Sequence, residues 1–168
     1  MAVREVLRYP HPSLKRVARE LGLDELGEAA RVAGDLVDTM RSHPGCVGLA
    51  APQLDELVRV VAVDVSGHPK ATSASGLLLL VNPRLVRREG AEVAREGCLS
   101  IPHLTGNVRR PTLIELAALA PDGSELSVEA RGFEARCLVH ELDHLDGVLF
   151  LDRVDSLATD VFRRRRYR

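Results

Sequence analysis

The stretch CLVHELDHLDGVLF, residues 137–150, carries two histidines four residues apart, His140 and His144, with Glu141 directly after the first. Four residues is just over one helical turn, so a helix here would set both imidazoles on one face. Two imidazoles so placed can grip a transition metal, and a glutamate beside them can take a proton from water. A catalytic site of this kind normally has three protein ligands. Beyond His144 the chain has neither a histidine nor a glutamate, and Phe150 stands where the longer HExxHxxGxxH pattern has its third histidine. Asp146, Asp152, Asp155 and Asp160 remain, and they read as turn and capping residues. The third ligand must come from upstream.

Three cysteines precede or overlap this segment, Cys46, Cys98 and Cys137. Cys137 shares the histidine face, but a metal lying between His140 and His144 is roughly 7 Å away along the axis at ~1.5 Å per residue. Its short side chain also tilts toward the helix N-terminus, away from that metal. Cys137 therefore reads as a small core residue. Cys98 sits in REGCLSIP, between two strand-like segments and after Gly97, where a thiolate could reach a helix lying across a sheet. Cys46 precedes a glycine-bearing loop. Spacing alone does not decide among them.

The elements that must hold these residues show in the hydrophobic pattern. Residues 24–42 place Leu26, Ala29, Ala33, Leu36, Val37 and Met40 at helical spacing, with Asp24 as N-cap and His43-Pro44-Gly45 as the stop. Residues 57–65 are rich in β-branched types and predict a strand. The polar stretch 66–76 predicts a mobile loop. Strands are expected at 77–83 and 111–120, with a Pro121-Asp122-Gly123 turn leading into an alternating partner strand at 124–131. From Phe133 to His144 the pattern is helical again, and Gly147 is placed to end the helix. An early helix, many strands and a late helix suggest an α+β domain.

Composition narrows the function classes. At 168 residues and 45% apolar content, the chain fits one domain with a substantial core, residues 1–168. A net charge of −1 argues against a protein that coats nucleic acid, and no DNA partner is expected. No apolar run approaches the roughly 18 residues of a membrane span. The N-terminal MAVREVLRYPHP does not read as a signal peptide, and three cysteines cannot pair completely, so a reducing cytoplasm is expected. Five arginines fall in the last six residues.

GLAAPQ (residues 48–53), EGCLS (96–100) and HELDH (140–144), in that order and after the opening VLRYPHPSLKRVA, resemble the peptide deformylase family over nearly the whole chain. The resemblance implies antiparallel β-sheets packed around a central C-terminal metal-binding helix, with the N-terminal helix read above. It implies that Cys98, His140 and His144 hold one divalent ion, ferrous iron physiologically, with zinc or nickel as replacements. It implies removal of the formyl group from N-formylmethionyl nascent peptides. Glu141 would be general base and then proton donor to the departing amine, and the Gln53 amide and Leu99 N–H would donate to the developing oxyanion. Glu96 and Arg110 would form an ion pair bracing the cysteine loop, with Asp143 orienting a ligand or that arginine.

The same resemblance places Val47 and Gly48 opposite the helix face that carries Phe133 and Cys137. Together these would bind the substrate and form a narrow, apolar methionine pocket. The short arginine-rich C-terminus reads first as a solvated tail; the resemblance implies a second reading, in which it approaches the ribosome and its arginines contact RNA phosphates. Departures from the family pattern are Cys46 in place of glycine, Val139 in place of glutamine, and His103 and Arg109 in the segment after EGCLS. They bear on rate and substrate range, and a second cysteine near the site predicts greater sensitivity to oxidation. Two rivals remain: a metal amidase acting on another acyl group, and a catalytically silent relative that binds nascent chains or ribosomes.

Overall fold

The computed structural model describes residues 2–165. The strand VVAV is buried along its whole length, and its period of two decides how the molecule is layered. This strand, β2 (Val60–Val63), points Val61 and Val63 into one apolar cluster and Val60 and Ala62 into another. The second cluster belongs to helix α1 (Leu26–Ser42), whose buried Ala29, Val32, Ala33, Leu36, Val37 and Met40 form one stripe. The first belongs to α2 (Gly132–Leu145), through Ala135, Leu138, Leu142 and Leu145. The sheet is thus sandwiched between the two helices, as the α+β pattern predicts.

That sheet has five antiparallel strands in the order β1-β2-β3-β6-β7. Beside β2 they are β1 (Gly48–Ala50), β3 (Leu78–Glu89), β6 (Leu113–Leu119) and β7 (Glu125–Arg131). A second antiparallel sheet has the order β4-β5-β8, from β4 (Glu92–Cys98), β5 (Ile101–Arg110) and β8 (Val161–Arg163). It packs a third core of Leu14, Ile101, Val108, Leu149 and Phe150. Gly106 keeps that packing close: a Cβ there would lie 3.0 Å from the Phe150 ring, which would have to give way slightly.

Several boundaries differ from the sequence reading. Asp24 falls in a 3₁₀ turn, Leu23–Glu25, and Glu25 takes the N-cap of α1 while its carboxylate accepts the Gly22 N–H at 2.7 Å. β3 runs six residues past Pro83. Asn82 makes this possible: it adopts a left-handed φ of 49° at a register break, and its side chain bonds both the N–H and the C=O of Leu21. From Arg84 onward the strand is exposed on both faces, so no apolar alternation betrays it. The strand-like segments on either side of Cys98 are β4 and β5, for which the sequence pattern sets no bounds. The 66–76 loop, expected to be mobile, is tied to α2: the Ser75 N–H and hydroxyl both donate to the buried Glu134 carboxylate, at 2.7 and 2.8 Å.

α2 ends where expected. The Val148 N–H donates to the Asp143 carbonyl, and Gly147 turns the chain at φ 71°. A Cβ on Gly147 would lie 2.6 Å from the Lys15 carbonyl oxygen, so the helix end is clamped against the N-terminal segment. Gly147→Ala meets both a left-handed backbone, worth ~1–2 kcal/mol, and that clash. We expect the variant to lose about 2 kcal/mol or more of stability in urea titration, and an unchanged midpoint would show that the clamp gives way freely.

Candidate metal centre

Three donor atoms converge where the two sheets meet α2. Cys98 ends β4 at a register break, and the Leu99-Ser100 turn returns the chain into β5, so its side chain projects toward the helix. His140 and His144 stand one turn apart on α2, as the spacing predicts. The Sγ of Cys98 lies 3.4 Å from Nε2 of His144, and the ligand atoms of Cys98, His140 and His144 all fall within 4.8 Å of one another. Tetrahedral coordination at ~2.3 Å to sulfur and ~2.0 Å to nitrogen puts neighbouring donors about 3.5 Å apart. The trio fits a single ion. Two further buried atoms without a protein partner, Nδ1 of His144 and Oε2 of Glu141, belong to the same centre.

The electrostatics agree with a thiolate ligand. Burial by itself pushes the Cys98 thiol up, but the two facing imidazoles outweigh it and hold the group well below its usual range. Cys137 lies outside the trio and is buried, which raises its thiol well above the ordinary value. Burial likewise pushes Cys46 up to about 12. Its thiol is therefore protonated and donates to the Gly48 carbonyl at 3.3 Å. A protonated, half-buried thiol reacts slowly, so the expected sensitivity to oxidation at Cys46 has no support in its environment.

A buried salt-bridge network holds the trio in register. Glu96, two residues before Cys98, accepts His140 Nδ1–H at 2.9 Å through one carboxylate oxygen, leaving His140 Nε2 as the free donor atom. The same carboxylate receives Arg110 in a bidentate pair at 2.8 and 3.0 Å and Arg136 at 2.9 Å. Arg110 also reaches Asp143 on α2, and Arg153 covers the outer side of Asp143. Burial opposes ionisation of Glu96, yet His140 and Arg110 hold its carboxyl well below the usual range. The Glu96–Arg110 pair was expected; Arg136 and Arg153 were not. Arg136 also donates to the backbone carbonyls of Val108 and Glu92, joining α2 to both long strands of the second sheet. The only local signal for it was its place one turn before His140.

Glu141 is 5% exposed, and burial raises its carboxyl above the ordinary value despite the opposing pull of His140 and His144. A Cβ on Gly48 would lie 2.7 Å from Glu141 Oε1, so only glycine lets β1 approach this close. Gln53 follows in the 3₁₀ turn after β1. Its Oε1 accepts the Ala50 N–H at 3.0 Å, which turns Nε2 toward Ser100 Oγ at 3.1 Å and Cys98 Sγ at 3.5 Å. Leu99 lies in the turn beside Cys98, half-buried. Val47, Phe133 and Cys137 all pack on the α2 core cluster. Asp152 and Asp160 cap local turns, accepting the Leu149 and Ser156 N–H groups.

The sequence model of the polypeptide deformylase family matches residues 3–160. A peptide deformylase of Desulforudis audaxviator is 41% identical over 167 residues, covering 98% of this chain and 99% of its own. A class I type b peptide deformylase from Acinetobacter baumannii superimposes with a TM-score of 0.85 at 31% identity, over 92% of this chain and 100% of the other. A structure of the same type and source, bound to Met-Ala-Ser, gives a TM-score of 0.82 at 31% identity over 91% and 100%. With the trio, the glycine approach and the glutamine turn all carried on the matching fold, this chain belongs to the polypeptide deformylase family.

Proposed function

We propose that the chain removes the formyl group from the N-terminal methionine of newly synthesised polypeptides, as one catalytic domain held by Cys98, His140 and His144 around one divalent ion. The observation that carries this reading is the buried carboxylate of Glu141, one oxygen unpartnered, set beside a three-donor cluster on the floor of an edge strand. When bound, the ion supplies Lewis acidity and brings the pKa of water toward neutrality. Ferrous iron is the metal we assign in the cell, with zinc or nickel able to replace it, because a mixed thiolate and imidazole set suits all three.

The protein's own groups then divide the work. Glu141, whose carboxyl burial raises above its ordinary value, takes the proton from the attacking water and delivers it to the amine nitrogen as the amide breaks. The Gln53 amide and the Leu99 N–H stabilise the negative charge that develops on the formyl oxygen. β1 is an edge of one sheet and β4 an edge of the other. An extended peptide can therefore add to these edges through main-chain hydrogen bonds, with its amino end at the centre. Gly48 and the small Ala50-Ala51 pair keep the approach open. Val47, Phe133 and Cys137 receive the methionine side chain.

The relative solved with Met-Ala-Ser bound supports a substrate that begins with methionine. Among the described residues no helix is long and apolar enough to cross a membrane. The three cysteines are all free, which fits a reducing cytoplasm. We assign ribosomal RNA near the exit tunnel as the partner of the basic C-terminus. Of its arginines, Arg163 closes β8, and Arg166 and Arg168 lie outside the described residues.

Three experiments test the assignment. Cys98→Ala should lose bound metal by elemental analysis while Cys137→Ala keeps it; equal losses would mean the thiolate ligand is misassigned. Glu141→Gln keeps the side-chain shape against Gly48, so it should retain metal yet lose turnover of formyl-Met-Ala-Ser by ~10²–10⁴-fold. Activity within a few-fold of the parent would remove Glu141 as the base. Running formyl, acetyl and longer acyl peptides side by side on anaerobic protein separates this reaction from other amidases, and the absence of any turnover would favour a silent binding relative.

A further inference from the structure

The loop between β2 and β3 lays a histidine flat on the helix that carries the metal ligands. The His68 and Phe133 rings are stacked, with centroids 4.4 Å apart and planes 16° from parallel. His68 is fixed in that pose by its own turn. Its N–H donates to Val65 O at 3.0 Å, its carbonyl accepts the Ala71 N–H at 2.9 Å, and its Nδ1 accepts the Lys70 N–H at 3.2 Å. An Nδ1 that accepts must carry its proton on Nε2, so the ring is the neutral tautomer. Burial and the nearby Lys70 charge both favour that form. Further along, Ala71 packs into the α2 core cluster and Ser75 is bonded twice to Glu134. The segment is a strap across the first turn of α2.

Distances along α2 say what the strap covers. Phe133 precedes His140 by seven residues, roughly 10 Å along the axis at ~1.5 Å per residue. The five bonds from a methionine amide nitrogen to its terminal methyl extend on the order of 6 Å at ~1.5 Å per bond. A side chain that starts at the metal centre and runs along this face therefore ends near Cys137, and the Phe133 ring, one turn further on, closes the space beyond it. Phe133 shares that face with Cys137, His140 and His144, and it is only half-buried although His68 covers one side of its ring.

We propose that His68 is a specificity-determining residue: with Phe133 it forms the far wall of the pocket for the first side chain. The inference rests on the deformylase reading above and deepens it. A neutral imidazole stacked on a phenyl ring is a rigid, flat and largely apolar plate. It sets the depth of the pocket, so an unbranched side chain of methionine's length fits and a bulky ring does not. The sequence gives no hint of this, because His68 lies in a polar stretch some 65 residues before Phe133.

The test uses the iron-loaded, full-length protein with formyl-Met-Ala-Ser and formyl-Phe-Ala-Ser, and titrates the product Met-Ala-Ser by calorimetry. His68→Ala should lower the Met-over-Phe ratio of kcat/KM by roughly tenfold, the scale at which a pocket wall discriminates. Most of the change should appear as a higher KM for formyl-Met-Ala-Ser and a weaker Kd for Met-Ala-Ser. His68→Phe, which rebuilds the plate, should restore the ratio to within about threefold. Ser75→Ala, which loosens the strap without touching the pocket, should shift the ratio in the same direction by less. An unchanged ratio and Kd in His68→Ala, beside normal parent turnover, would overturn the wall alone. A parent that hydrolyses no formyl peptide would overturn the reaction and the wall together.

Discussion

Everything at the centre depends on one buried carboxylate. Two histidines a turn apart can be supplied by a helix, but the thiolate comes from a strand of a different sheet, and the two must be held to within a fraction of an ångström. Glu96 does this by standing two residues from Cys98 while bonding His140, Arg110 and Arg136 at once. Taking charges out of water costs several kcal/mol per ion, and that cost is offset only where geometry is good and every lone pair is used. Here both oxygens of Glu96 are used, and each arginine has a second partner: Asp143 for Arg110, and two backbone carbonyls for Arg136. The network fixes position more than it adds stability.

The rest of the fold can be understood as what brings Glu96 and α2 together. β2, buried on both faces, seats α2 on one side and α1 on the other. Gly147 clamps the far end of α2 against the N-terminal segment, and Glu134 ties its first turn to the β2–β3 strap. The metal helix is thus fixed at its start, middle and end by three different parts of the chain. Local stability of that kind suits ligands that must meet a small ion in one geometry.

What could be read from the sequence follows from how local each signal is. The His140–His144 spacing, the α1 stripe, the Gly147 stop and the GLAAPQ and EGCLS motifs are contained within a few residues, and the structure carries each of them. The convergence of Cys98 with the histidines is not local, and spacing left it open; only the family resemblance pointed to it. Arg136 stayed invisible because its partners lie on β4 and β5, and an arginine on a helix reads as solvated until those strands are known. The second half of β3 was missed for the opposite reason: it buries neither face, so propensity and alternation are both silent. Asp24 lost the cap to Glu25 because a 3₁₀ turn intervenes, a difference of one residue that pattern alone does not resolve.

The three cysteines show how a fold sorts identical side chains into different chemistry. All three are shielded enough that burial raises the thiol, and without opposing charge each would stay protonated. Only Cys98 faces two imidazoles, and that attraction reverses the sign. Cys46 has the Glu141 and Cys98 charges nearby, and both suit the neutral thiol. Cys137 has the Glu141 and Glu96 charges outweighing Arg136, with the same result. A protonated thiol is a compact apolar group, which suits the places of Cys137 and Cys46 against the two apolar clusters. The choice of ligand is therefore made twice, once by reach and once by proton affinity. The two criteria select the same residue.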